Sequence, residues 1–141
     1  MRTRRVLAVA AVATAAMGIT ACGGGGETFE NTEELWSAVS PVAACSDEPN
    51  FQNEPAGDEL PAHSMVDCYS IPLSDGTQAE LYGLVVENPE QLSAVADSYD
   101  LPQMLTGPNW TIFIEADEDG SQEAVDSWLS EAQKEIGGEL S

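Results

Sequence analysis

Metal ligation is the chemistry this chain advertises first. Glu115, Asp117, Asp119 and Asp126 occupy positions one, three, five and twelve of a twelve-residue stretch, with Gly120 at position six. Oxygen ligands at that spacing suit calcium, and a glycine there allows the sharp turn of a calcium loop. The pattern then departs. Position one is Glu rather than Asp, position eight is Gln122 rather than an aliphatic residue, and a strand-like segment precedes the loop where a helix belongs. Acids before and within the first turn of a helix also stabilise its dipole without any ion. No metal is expected, and these four carboxylates are the candidates if one binds. His63 is the only histidine and has Ser64 beside it, but it sits in a proline-rich stretch. No nucleophile elbow or oxyanion glycine motif accompanies it. No catalytic residue and no cofactor are expected.

Cysteine carries the second chemistry. Cys22 directly follows Ile19-Thr20-Ala21. Before these lie Arg2, Arg4 and Arg5 and then the apolar run Val6 to Met17. A charged n-region, a short apolar h-region and small residues at the end form a secretory signal. The run is shorter than the about 20 apolar residues a spanning helix needs. With Cys22 at its end, the segment resembles the lipobox of bacterial lipoproteins. The resemblance implies a diacylglyceryl group on the Cys22 thiol and cleavage before it. Two acyl chains make a stable anchor, at about 0.8 kcal/mol per buried methylene. Thr3-Arg4-Arg5-Val6-Leu7 also loosely resembles a twin-arginine export signal. Gly23 to Gly26 then read as a flexible tether.

Charge divides sharply at Cys22. All three arginines precede it, and all 25 acidic residues follow it with Lys134 as the sole Lys or Arg, a formal charge of −24. Such a surface excludes a nucleic-acid binder, whose affinity comes from neutralised phosphates. It is also repelled by anionic lipid, so membrane attachment has to be covalent. Strong acidity otherwise reads as a solvated exterior. In an exported domain, the two remaining cysteines, Cys45 and Cys68, read as one disulfide.

The elements that position these groups follow from periodicity. Asn31 with Glu34 starts a helix through Leu35, Val39 and Val42, which Pro41 should end or kink near Ser40. Ser46 to Ala62 is crowded with proline, glycine and aspartate and reads as a long loop. Met65 to Leu73 reads as a strand, and Asp75-Gly76 as a type I′ hairpin turn into a return strand over Gln78 to Glu87. Asn88-Pro89 starts a second helix, with Leu92, Val95, Ala96 and Tyr99 as its stripe. Leu101 to Thr106 leads into a Gly107-Pro108-Asn109 turn, and Trp110 to Glu115 alternates as a third strand. Ser121 caps a last helix that Gly137-Gly138 terminates. The periodic faces place Trp36, Trp110 and Trp128 in the core. The order is α-β-β-α-β-α. It predicts an α+β fold, a small three-stranded mixed sheet with a right-handed parallel crossover between the second and third strands, covered by helices. The divisions are a signal peptide at 1–21, a lipidated cysteine and tether at 22–28, and one domain at 29–141.

The lipobox and glycine tether, Cys45 after the first helix, Cys68 on the first strand, the Asp75-Gly76 hairpin, Gly107-Pro108-Asn109-Trp110 and the closing Ile136-Gly137-Gly138 occur in that order. Together they resemble a group of small actinobacterial lipoproteins of unknown function. The resemblance covers nearly all of the chain after Cys22; Pro41 and the very acidic surface depart from it. It implies an exported, disulfide-tied α+β domain and supplies no activity. The expectation is a lipid-anchored, extracytoplasmic, non-enzymatic interaction module at the cell membrane, meeting an envelope protein partner. A cation- or small-ligand-binding lipoprotein is the alternative, and a small extracytoplasmic enzyme the third reading.

Overall fold

The computed structural model describes residues 26–58, 60–99 and 103–141. The presequence, Cys22, Gly23 to Gly25 and Leu101 lie outside the described residues. Helix α1 spans Thr32–Ala43. Asn31 caps it, Oδ1 accepting the Glu34 N–H at 3.0 Å, while Glu34 reaches back to accept the Glu30 N–H at 2.9 Å. Pro41 does not end the helix near Ser40 as expected. It lacks the N–H that would bond Ser37 O, and the Ser40 hydroxyl donates there at 3.4 Å instead. The helix closes one turn later at Ala44, which is left-handed at φ 47°.

Among the described residues six strands follow or interleave: β1 (Asn50–Glu54), β2 (His63–Pro72), β3 (Gln78–Val86), β4 (Leu105–Thr106), β5 (Trp110–Ala116) and β6 (Glu139–Leu140). They form one sheet in the order β1-β2-β3-β5-β4-β6. All five neighbouring pairs are antiparallel. The α+β class therefore holds, with three α-helices and one disulfide among the described residues, but the three-stranded mixed sheet does not. The expected parallel crossover is an antiparallel pair in which Val85 faces Trp110 and Ala79 faces Ala116. Helix α2 (Leu92–Asp97) is entered through a 3-10 turn at Pro89–Gln91. The chain then returns to the sheet first as β4, level with Gly83 and Leu84, and the turn at Gly107–Asn109 reverses it into β5. Val86 N donates to Asn109 O at 2.9 Å where β5 begins beside the end of β3.

The remaining strands lie where apolar periodicity is faint. Strand β1 falls inside the stretch read as loop; Asn50-Phe51-Gln52-Asn53-Glu54 holds one apolar residue and forms the sheet's edge. Strands β4 and β6 have two residues each. The β2–β3 hairpin is present, yet its turn is not type I′. Only Gly76, at φ 84°, has positive φ there. Leu73 and Thr77 close a three-residue loop through Leu73 N to Thr77 O at 2.9 Å, the pattern of a type I turn followed by a left-handed glycine.

Helices α1 and α3 (Gln122–Ile136) cover one face of the sheet. Leu35, Val39, Leu81, Trp110, Ile112 and Leu129 meet there, all at most 1% exposed. Burying side chains of this size stabilises by about 1.5–3 kcal/mol each. Trp128 joins this core and Trp36 packs half-buried against it. Gly83 lets α1 approach: a Cβ there would lie 2.9 Å from Val66 Cγ1 and 3.2 Å from Leu35 Cδ2. The opposite face carries a smaller cluster, Leu84, Val86 and Phe113 beneath Leu92 and Val95 of α2.

Candidate functional site

The segment Gly107 to Trp110 turns the chain from β4 into β5 and also holds the point where the chain enters the domain. Trp110 is fully buried, and its Nε1 donates to Glu27 O at 2.7 Å. Its indole lies over Gly107, where a Cβ would sit 2.1 Å from Trp110 Cε2. Asn109 is 6% exposed. Its Oδ1 accepts the Phe29 N–H at 3.1 Å, and its Nδ2 donates to Phe29 O at 2.7 Å and Val86 O at 3.1 Å. Phe29 packs on the indole with ring centroids 5.9 Å apart, and Gly26 bridges to Gly137. Buried amide and indole groups of this kind need partners, and here the partners are the backbone of Glu27, Phe29 and Val86. The entering chain is clasped from Gly26 onward, inside the stretch 22–28 read as tether.

Beside this clasp lies an open cavity of about 540 Å³. Glu30 brings to it the residue after the clasp, Glu54 the end of β1, His63 the start of β2, and Glu87 the residue after β3. Val85 and Val86 of β3 also border it. His63 is thus not a loop residue: it opens β2, faces Glu54 on one side and Val86 on the other, and is 8% exposed. Its Nδ1 lies 3.0 Å from Pro61 O, so that nitrogen is assigned the proton and donates. The Nε2 atom is shielded from water and has no hydrogen-bond partner among the described residues.

The calcium-loop candidates are not drawn together. Glu115 is exposed on β5, the Asp117 backbone N–H bonds Gln78 O at 3.0 Å, and Asp126 on α3 accepts from Gln122 Nε2 at 2.8 Å. Among the described residues, no group of three or more His, Cys, Asp or Glu side chains is placed to hold a metal ion. A different carboxylate organises this end of the sheet. Asp75 Oδ2 accepts the Ser121 N–H at 3.0 Å and its hydroxyl at 2.8 Å, while Oδ1 accepts the Thr77 N–H and hydroxyl. The Thr77 hydroxyl and the further bonds from Ser121 and Thr77 hold the Asp75 carboxyl well below the usual carboxylate range.

The sheet face that α2 covers in part carries tyrosines against acids. Tyr69 donates to Asp67 at 3.0 Å, and Tyr82 donates to Glu80. The bond to Asp67 raises the Tyr69 hydroxyl above its ordinary value; burial, then Glu80, does the same for Tyr82. Cys45 and Cys68 form the expected disulfide, with Cα atoms 6.2 Å apart. Cys22 lies outside the described residues. No family model matches the chain, and neither the curated proteins nor the solved structures contain a match. Among the described residues, no helix is long and apolar enough to cross a membrane.

Two parts of this arrangement escaped the sequence reading. Asn109 is legible in the sequence only as a turn residue, because its partners Phe29 and Val86 are far away in the chain. His63 was hidden by the prolines around it.

Proposed function

We propose that this protein is a cell-envelope lipoprotein, a non-enzymatic interaction domain held at the outer face of the cytoplasmic membrane by lipid on Cys22. The observation that carries the reading is how near the anchoring cysteine stands to the clasp. Only Gly23, Gly24 and Gly25 separate Cys22 from Gly26, and a fully extended chain covers about 14 Å from Cys22 to Gly26. Two acyl chains would hold a domain of charge −24 beside an anionic surface that repels it. The clasp supports this by resisting a pull on the N-terminal strand with the Asn109 and Trp110 bonds.

A leash this short raises the local concentration of the domain for a membrane-borne protein partner. It also keeps the clasp side, with Gly137 and the cavity at Glu30, nearest the lipid. Fractionation tests the anchor. Cys22→Ala should leave the protein soluble after carbonate extraction or stalled with its presequence attached. A variant that stays membrane-bound with the presequence removed would contradict the assignment. Cross-linking in living cells then tests the partner, which the anchored form should capture and the untethered form should not.

A further inference from the structure

We propose that the tyrosine ledge on the sheet face beyond α2 docks an arginine-bearing segment of a protein partner, a guanidinium lying on the rings between the surrounding carboxylates. The inference rests on the interaction reading and gives it a surface and a partner chemistry. Helix α2 covers Leu84, Val86 and Phe113. Past it, Tyr82 stacks on Phe113 with ring centroids 4.9 Å apart, and Tyr69 stands 55% exposed. A bulge places Tyr69. Cys68 faces Leu81 and Ile71 faces Ala79, so Tyr69 and Ser70 together oppose Glu80. A bulge of this kind re-aims a side chain. Both rings are held by their hydroxyls, Tyr69 donating to Asp67 at 3.0 Å and Tyr82 to Glu80. Tyrosines fixed in this way make good interface anchors, because little rotamer freedom is left to lose on binding.

Charge selects the partner. Glu80 and Glu115 are direct partners across β3 and β5. A like-charge pair in that position is destabilising, and a cation between the two relieves it. Asp67, opposite Tyr82 on the same face, is 4% exposed, and its Oδ1 has no hydrogen-bond partner among the described residues. A buried carboxylate left short of partners favours positive charge nearby. None comes from the described domain: its sole Lys or Arg, Lys134, lies on α3 across the sheet. The rings point the same way. A phenol that donates to a carboxylate gains electron density, and its ring face, already negative, draws a cation more strongly. A planar guanidinium stacks on such a ring and bonds a carboxylate at its edge, which an ammonium does less well. An uncharged glycan would leave the Glu80–Glu115 repulsion unanswered. Glu80 also lies about 20 Å along β3 from Val86 at the clasp, so the ledge occupies the end of the sheet away from the anchor.

The experiment titrates the full chain, purified in detergent, with a capped pentapeptide carrying two arginines while backbone amide resonances are followed. An ionic strength of about 0.15 M screens diffuse attraction. The shifts should saturate with a Kd below about 1 mM and concentrate around Tyr69, Tyr82 and Glu115. Tyr69→Leu leaves the charge unchanged and should weaken binding about threefold to fivefold, the worth of an exposed cation–ring contact. Glu80→Gln with Glu115→Gln should weaken it roughly tenfold, through loss of two charge-assisted contacts. Glu118→Gln with Glu131→Gln, an equal charge change elsewhere, should leave it unchanged, and the same amide spectra show that each variant is folded. A lysine counterpart of the peptide should bind more weakly. Equal weakening by both charge pairs, an unaffected Tyr69→Leu, or shifts spread over the whole surface would overturn the ledge and leave only diffuse attraction. In cells, Tyr69→Leu with Glu115→Gln should stay in the membrane fraction and lose the cross-link that the anchored parent gives. A cross-link kept by that variant would overturn the ledge and leave the interaction reading standing, whereas no cross-link from the parent would overturn both.

Discussion

Asp75 accepts both the backbone N–H and the hydroxyl of Ser121, 46 residues further along the chain. One carboxylate thereby ties the β2–β3 hairpin to the start of α3, whose cap is Ser121 itself, accepting the Ala124 N–H at 3.2 Å. The acidic run before α3 is tied at this joint, with Gly120 N bonding Asp117 O at 2.8 Å. The hydrogen bonds hold the Asp75 carboxyl below its unfolded value. A depressed carboxyl contributes stability that is fully present above the unfolded pKa, about 3.9, and is lost as pH falls toward the folded value. Asp75→Asn should lower the melting temperature at neutral pH. Thermal melts should show the gap to wild type narrowing as pH drops below about 4. A gap that widens in acid would contradict the sign.

Asn109 should be the costliest polar residue to lose. Asn109→Ala strips the Phe29 N–H and C=O and Val86 O of partners. Denaturant unfolding should show a loss of about 2 kcal/mol, since unmet buried groups cost more than the net value of a bond. Hydrogen exchange adds a local readout, with the Phe29 amide losing protection first. Retained protection at Phe29 would mean the clasp does not depend on Asn109.

Gly107 makes room for the indole that Asn109 works beside. Gly107→Ala places a methyl within the Trp110 ring volume. Overpacking of this kind costs about 1–3 kcal/mol. Tryptophan emission should shift to the red as Trp110 leaves its buried seat, and an unchanged spectrum and stability would show that the turn relaxes instead.

The Cys45–Cys68 bridge, with a sequence separation of 23, closes the stretch that contains edge strand β1. Replacing both cysteines by alanine should cost roughly 3 kcal/mol in the loop-entropy account. Exchange should quicken first in β1, because it is paired on one side only. A global loss with β1 unaffected would place the effect in the core around buried Cys68.

Much of the architecture was legible because its signals are local. Asn31, Asn88 and Ser121 all cap as their spacing indicates. Gly137 ends α3 at φ 74°, and the alternating Trp110, Ile112 and Ile114 do line one face. The misses are non-local or arise where apolar pattern is missing. Strand β1 has Phe51 as its only apolar residue, and β4 and β6 are too short to show a period. The direction of β5 is set by the hairpin with β4, whose two residues show no period. At the site, the acids at 115–126 stood out by spacing yet are not gathered. Glu30, Glu54 and Glu87 are far apart in the chain and share one cavity.

Anchoring through Cys22 is read from the intact mass of the membrane-extracted protein. The mass should be that of a chain beginning at Cys22 with a diacylglyceryl modification on that residue. An unmodified chain retaining Met1, or one cut elsewhere and free of lipid, would contradict it.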